Sequence, residues 1–169
     1  MAENNLSDYA YNTISKTSRD IRLLSLLPGN WNEGIRCKVN IASLDESPKY
    51  EALSYVWGDA TDTKPIFVDD IEVQVTRNLE VALRYLRTSD EPLTLWIDAL
   101  CINQKDLVEK THQVGMMRDI FKNCTSAYLW LGSRDAENDF QGIYLVCGQT
   151  CAGLSSSSQS QSMITDWNR

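Results

Sequence analysis

Two short apolar runs constrain this chain more than any other feature: TLWI at 94–97 and AYLWL at 127–131. Neither alternates apolar with polar residues, so each reads as a strand buried on both faces. Between them, 107–122 carries Val114, Met117, Ile120 and Phe121 at helical spacing, which predicts a helix with those four as its core stripe. Ahead of the first run, Thr76 or Asn78 can cap a helix over 78–87. Its inward positions are Leu79, Ala82, Leu83 and Leu86, with Arg77, Glu80, Arg84 and Arg87 turned to water. A strand at 50–57 (YEALSYVW) completes the order strand, helix, strand, helix, strand. That alternation predicts an α/β fold with a mostly parallel central sheet flanked by helices.

The flanks make the fold less regular. Ile35, Cys37, Val39 and Ile41 alternate with Arg36, Lys38 and Asn40, the pattern of a half-buried strand. The run 21–27 ends at Pro28-Gly29, a turn signal. IFVDDIEVQV at 66–75 reads as a β-hairpin turning at Asp69-Asp70. A further helix is expected over 137–150, with Phe140, Ile143, Tyr144 and Cys147 inward. Residues 1–19 are polar and aperiodic, the pattern of a loose arm, and 153–169 is a Ser-rich linker or tail. The domain itself is expected to span 20–152.

Composition excludes several classes. A net charge of −7 argues against nucleic acid as the main partner and gives no polybasic attraction to anionic membranes. No apolar run approaches the ~18 residues of a membrane span, and the N-terminus lacks the pattern of a signal peptide, so a cytoplasmic location is expected. Cysteines stand at 37, 101, 124, 147 and 151 without a CxxC, which favours five reduced thiols. One histidine and no finger-like spacing leave no metal site to propose.

The first apolar run ends in a dense polar cluster: Asp98, Cys101, Asn103, Gln104, Lys105 and Asp106. In open α/β sheets ligands sit beyond the carboxyl ends of the strands. Asp98 and Cys101 fall there. Trp57, Gly58 and Asp59 join them if the 50–57 strand lies in the same sheet, and Tyr55 shares a strand face with Trp57. Aromatic walls, carboxylates, a thiol and the amides of Asn103 and Gln104 suit a polar small molecule with a flat ring. The competing reading is structural: Asp98 and Asn103 cap turns, and Cys101 is a small buried hydrophobe. A nucleophilic pair of Cys101 with His112 has little behind it. Glu109 sits in the first turn of the 107–122 helix, where the helix dipole favours a carboxylate and where a carboxylate can also face the crevice. Ser54 lacks the glycines of a nucleophile elbow, and no Gly-rich phosphate loop occurs.

Three blocks, YEALSYVWGD (50–59), LWIDALCINQKD (95–106) and EKTHQVGMMRDIFKNCTSAYLWLG (109–132), resemble the signature blocks of the fungal heterokaryon incompatibility (HET) domain. IRLLSLLPG and NLEVALRYLR look like the same family, so the likeness runs from Ile21 to Gly132. Leu100, Phe121 and Cys124 stand where the family more often has Ile, Tyr and Ala, all apolar exchanges. The resemblance implies an intracellular effector domain of non-self recognition and programmed cell death, often the N-terminal part of a larger protein. It implies action by self-association or by contact with another incompatibility protein. The family is also distantly similar to Toll/interleukin-1 receptor (TIR) domains, which implies a flavodoxin-like fold. Some TIR domains cleave NAD with a catalytic glutamate. On that analogy Glu109, and after it Asp98, would be catalytic, with Tyr55, Trp57, Gly58, Asp59, Cys101, Asn103 and Gln104 around NAD or a related nucleotide as substrate. Glu109→Gln would then abolish killing and leave the fold intact. A scaffold whose signature only builds the fold is the third alternative.

Overall fold

The protein, as a computed structural model, is described for Tyr11, residues 13–132 and the backbone of Ile143–Cys147. In chain order the strands are β1 (Asp20–Leu26), β2 (Arg36–Ser43), β3 (Glu51–Tyr55), β4 (Thr63–Val68), β5 (Ile71–Thr76), β6 (Leu93–Ile97), β7 (Ser126–Trp130) and β8 (Ile143–Cys147). The helices are α1 (Arg77–Leu86), the one-turn α2 (Asp98–Cys101) and α3 (Leu107–Asn123). These strands form one sheet in the order β5-β4-β2-β1-β6-β3-β7-β8.

The centre is as the alternation predicts. β3 lies between β6 and β7 and is parallel to both. Register places Trp96 beside Ala52 and Trp130 beside Tyr55, on opposite faces of the sheet. Trp96 meets Phe121 of α3 edge to face, with ring centroids 5.6 Å apart. Trp130 stacks at a tilt on Tyr85 of α1 at 5.2 Å. The two long helices therefore cover opposite faces, and the aromatic pairs add specific geometry to the buried area.

The sheet as a whole is mixed, which corrects the expectation of a mostly parallel one. Among the described strands three pairings are parallel and four antiparallel. The reason lies in the connections. Antiparallel neighbours need only a short turn, whereas parallel neighbours need a crossover. β4 and β5 are joined at Asp69 (φ 49°) and Asp70 (φ 65°), both left-handed as in a type I′ hairpin turn. β1 and β2 likewise pair antiparallel, joined through 27–35 without a crossover.

Two further expectations change. The helix foreseen over 137–150 is a strand at Ile143–Cys147, paired antiparallel with β7; the rest of that span lies outside the described residues. IYLVC is a short apolar run between Gly142 and Gly148, and an apolar run of that length does not distinguish strand from helix by periodicity. α3 departs from its expected stripe. Ile120 is buried, and Met117 and Phe121 pack against the core, but Val114 is 49% exposed. The buried positions in its first half are Glu109 and Gln113. α1 does bury Leu79, Ala82, Leu83 and Leu86, but Glu80 is buried with them and pairs with Arg84 at 2.5 Å. Thr76 is its N-cap, accepting from the Leu79 N–H.

Part of the segment expected as an arm lies against α3. Ile14 is buried, Lys16 pairs with Asp106, Arg19 pairs with Asp119, and the His112 ring nitrogen meets the Ser18 carbonyl. Among the described residues no helix is long and apolar enough to cross a membrane. Cys37, Cys101 and Cys124 are free and buried; the side chains of Cys147 and Cys151 lie outside the described residues.

Burial pushes the Cys37 and Cys101 thiols up to about 12. These two thiols should resist a thiol-specific reagent at mildly alkaline pH in the native protein and react at once in denaturant. Rapid labelling of either in folded protein, located by peptide mapping, would contradict this packing.

Candidate functional site at the carboxyl edge of the parallel strands

The carboxyl ends of β3 and β6 meet through one hydrogen bond. The Trp57 indole N–H donates to Asp98 Oδ2 at 3.2 Å. Asp98 opens α2 directly after β6, and its other oxygen accepts from the Ala99 N–H at 2.7 Å. Gln104 returns to the same place and donates its amide to the Asp98 carbonyl at 3.0 Å. Burial raises the Asp98 pKa, opposed by the hydrogen bonds from Ala99 and Trp57. Tyr55, one residue pair back along β3, has a buried hydroxyl without a hydrogen-bond partner among the described residues. Burial and the nearby Asp98 carboxylate hold its ionisation far above the ordinary range, so it is a neutral donor.

Asn78, near the start of α1, braces the same edge. Its amide donates to the Val56 carbonyl and its oxygen accepts from the Trp130 indole N–H at 2.7 Å. The ends of β3 and β7 are thus tied to one side chain. Gly58 has φ of 75°, and a Cβ there would stand 3.3 Å from the Asn78 Cβ, so both conformation and space call for glycine. Asp59 is exposed, and its carboxylate takes the N–H and hydroxyl of Thr61, which lower its pKa. It closes its own turn, and among the described residues no hydrogen bond joins it to Asp98.

Glu109 faces neither a crevice nor the helix dipole alone, and here the expected arrangement is corrected. Asp106 is the N-cap of α3, accepting from the N–H groups of Val108 and Glu109. The Glu109 carboxylate is turned inward onto Arg22, at 2.5 and 3.1 Å from the two guanidinium nitrogens. Side-chain exposures of 0% for Arg22 and 4% for Glu109 make this a buried bidentate pair. Arg22 also donates to the Cys101 carbonyl at 3.1 Å, and Glu109 accepts the Asn103 N–H at 2.8 Å. Asn103 in turn accepts from Lys105 N–H. Cys101 is fully buried beneath the turn, with the Ile97 N–H directed at its sulfur.

The structure therefore divides the residues singled out in the sequence. Tyr55, Trp57, Gly58, Asp98 and Gln104 come together at the edge. Asn103, Cys101 and Glu109 belong to the turn beneath it, and His112 is held by Ser18. Two residues were not foreseen as parts of this region, Arg22 and Asn78. Arg22 carries a legible signal: it is the only charge in the run IRLLSLL, and a cation there requires a buried anion. Asn78 carries none beyond its place near a helix start. Each oxygen of the Asp98 carboxylate accepts one hydrogen bond, and its remaining lone pairs, half-buried beside an indole and a phenol, can still accept from a ligand N–H or O–H. Among the described residues no group of His, Cys, Asp or Glu could hold a metal ion.

Comparison with known proteins agrees with the signature blocks. The family described as heterokaryon incompatibility protein (HET) matches residues 50–167. A Neurospora crassa protein described as heterokaryon incompatibility protein 6, OR allele, is 40% identical over 142 residues, covering 76% of this chain and 21% of that protein. The chain thus spans about a fifth of the length of this relative. No solved structure matches significantly.

Two predictions follow from the buried pair and from Asp98. Glu109→Gln leaves a guanidinium buried without an anion and should destabilise the fold by about 3–5 kcal/mol. Arg22→Met combined with Glu109→Gln removes that charge, keeps an acceptor for Asn103, and should recover most of the loss in thermal or urea unfolding. A double variant no more stable than the single one would rule out this account. Asp98 has the opposite linkage to a salt-bridged carboxylate: its folded pKa lies above the unfolded value of about 3.9, so the folded state binds the proton more tightly. Stability should fall as pH rises from about 3.9 through the raised value. Asp98→Asn should lack that decline, which urea midpoints across an acid-to-neutral series would reveal; parallel curves for the two proteins would refute it.

Proposed function

Because the chain belongs to the heterokaryon incompatibility (HET) domain family, we propose that it is an effector domain of fungal non-self recognition. On this reading it acts in the cytoplasm by associating with itself or with another incompatibility protein, and that association leads to programmed cell death. The proposed unit is 20–152. β1 and β2 precede the matched segment yet share the sheet with it and supply Arg22, which supports starting the unit there.

The observation that favours binding over hydrolysis is the state of Glu109. A general acid or base must reach its substrate within hydrogen-bond distance. Glu109 is instead occupied by Arg22 and the Asn103 N–H. Most of the cluster's polar groups are likewise engaged within the turn. That leaves a scaffold presenting the strand ends, with Val56 63% and Leu131 40% exposed beside them.

A second reading has an observation of its own. Asp98, whose pKa burial raises, stands with the Trp57 indole and the Tyr55 hydroxyl, which has no hydrogen-bond partner among the described residues, and together they offer an acid and a ring wall for a nucleotide. It corresponds to a TIR-like hydrolase of NAD or a related nucleotide, centred on the three parallel strands, with Asp98 in place of Glu109.

Expression in a fungal host separates the two, together with NAD quantification by the purified protein at low and high concentration. The expected outcome is growth arrest by the wild type and by Asp98→Asn alike, with NAD unchanged. Consumption of NAD that Asp98→Asn lowers by about 10²-fold or more would establish the hydrolase instead. Absence of any growth arrest by the wild type would remove the effector reading.

A further inference from the structure

The first half of α3 is inverted. Its buried side carries Glu109 and Gln113, while Leu107, Val108 and Val114 are 75%, 62% and 49% exposed. Leu107, Thr111 and Val114 follow one another at helical spacing along the outer line, with Gly115 beside them. A Cβ added at Gly115 would meet nothing within 4 Å, so the surface there is open and low enough for another helix to approach closely.

The same face is basic on an acidic protein. Lys110, Arg118 and Lys122 are exposed, and none forms an ion pair among the described residues. The carboxylates of this helix and its cap do not neutralise them. Asp106 pairs with Lys16, Asp119 with Arg19, and Glu109 is buried on Arg22. The chain as a whole carries −7. A short, mostly apolar line among cations that form no ion pair with the described residues, on such a background, is complementary to a negative, apolar-faced partner.

We propose that the outer face of α3 docks an acidic amphipathic helix of a partner protein. Leu107, the Thr111 methyl and Val114 form its apolar seat, Arg118 continues that line one turn on, Lys110 and Lys122 flank it, and the three cations receive carboxylates. Resting on the reading that the domain acts by association, this names the surface and the chemistry of what it takes. A second copy paired through α3 would bring these cations against their own counterparts, and like charges across an interface are unfavourable. An anionic membrane would attract three cations but repel the remaining surface, and the apolar seat lacks the aromatic or long apolar face of an interfacial helix.

The test uses the whole chain and a fluorescein-labelled synthetic helical peptide with leucines at i, i+4 and i+7 flanked by glutamates. A basic counterpart with lysines for glutamates is measured beside it by fluorescence anisotropy, and flotation with phosphatidylserine–phosphatidylcholine vesicles is the lipid arm. The acidic peptide should bind, more weakly at high salt. The Lys110→Glu, Arg118→Glu, Lys122→Glu variant should bind it roughly tenfold more weakly or worse, and should gain affinity for the basic peptide. Val114→Ser should weaken both. All four positions are exposed, so melting should be unchanged. If the charge-reversed protein melts early, the corresponding Gln variant carries the same comparison. Equal binding of both peptides by the wild type, binding of neither, preference for vesicles, or self-association lost on Val114→Ser would each overturn the proposal. Failure here leaves fungal growth arrest by the wild type untouched, so it is distinguishable from failure of the effector reading.

Discussion

Among the described residues one buried cation, Arg22, organises the turn after β6 and the start of α3. Arg22 lies in β1, between β2 and β6, with a side-chain exposure of 0%. An isolated charge in such a place is prohibitive, and the fold must bring an anion to it. Glu109 does so from 87 residues away in sequence. Arg22 also takes the Cys101 carbonyl, and Glu109 takes the Asn103 N–H, so one ion pair ties β1, the turn after β6 and the first turn of α3. Once Glu109 must point inward, the helical period sets the rest of that half of α3. Gln113, one turn on, is buried and donates to the Asp20 carbonyl, while Leu107, Val108 and Val114 are rotated outward. The buried polar face and the exposed apolar one have the same cause.

This pair need not add net stability. A well-packed apolar pair of similar volume is often as good, because desolvation offsets the attraction. What the pair adds is geometry. A bidentate fork closes only when the guanidinium and carboxylate planes meet correctly, and this fixes where α3 begins relative to β1. Asn78 plays a comparable part on the other half of the edge, holding the Val56 carbonyl and the Trp130 indole together. The three parallel strands are thus braced at their carboxyl ends from both faces of the sheet.

Local pattern made much of this legible in the sequence. The apolar runs at 94–97 and 127–131, the amphipathic spacing of α1, and the Asp69-Asp70 hairpin are each specified by neighbours in the chain and form where the pattern puts them, although in β7 only Trp130 is fully buried and Leu131, past its end, is exposed. Distant partners decided what the pattern left open. Val114 has the spacing of a core residue, but the demand of Arg22 turned the helix against it. Ile143–Cys147 became a strand because β7 offers an unpaired edge, which no local signal in IYLVC announces. The sheet became mixed because β1–β2 and β4–β5 are joined without a crossover and β1 then pairs antiparallel with the distant β6, and a pattern of strands and helices does not by itself give their directions. At the site, the residue types at the edge were readable from the signature blocks, while the inward turn of Glu109 depended on a partner in another strand.

A dense polar stretch after a buried strand has two physical sources, and they are separated by asking which groups remain unpaired. A tight strand-to-helix connection strands several backbone N–H and C=O groups, and side-chain acceptors and donors are needed to satisfy them. Asn103, Gln104, Asp106 and Glu109 do that here. A ligand site, by contrast, must leave polar capacity unused until the ligand arrives. At this edge, among the described residues, the Tyr55 hydroxyl is buried without a hydrogen-bond partner, and the half-buried Asp98 carboxylate, whose two oxygens each accept one hydrogen bond, keeps lone-pair capacity for another. Most of the signature's polar residues therefore build the turn, and the part able to recognise anything small reduces to a carboxyl, a phenol and an indole. Recognition of something large falls instead to the faces that the buried pair has turned outward.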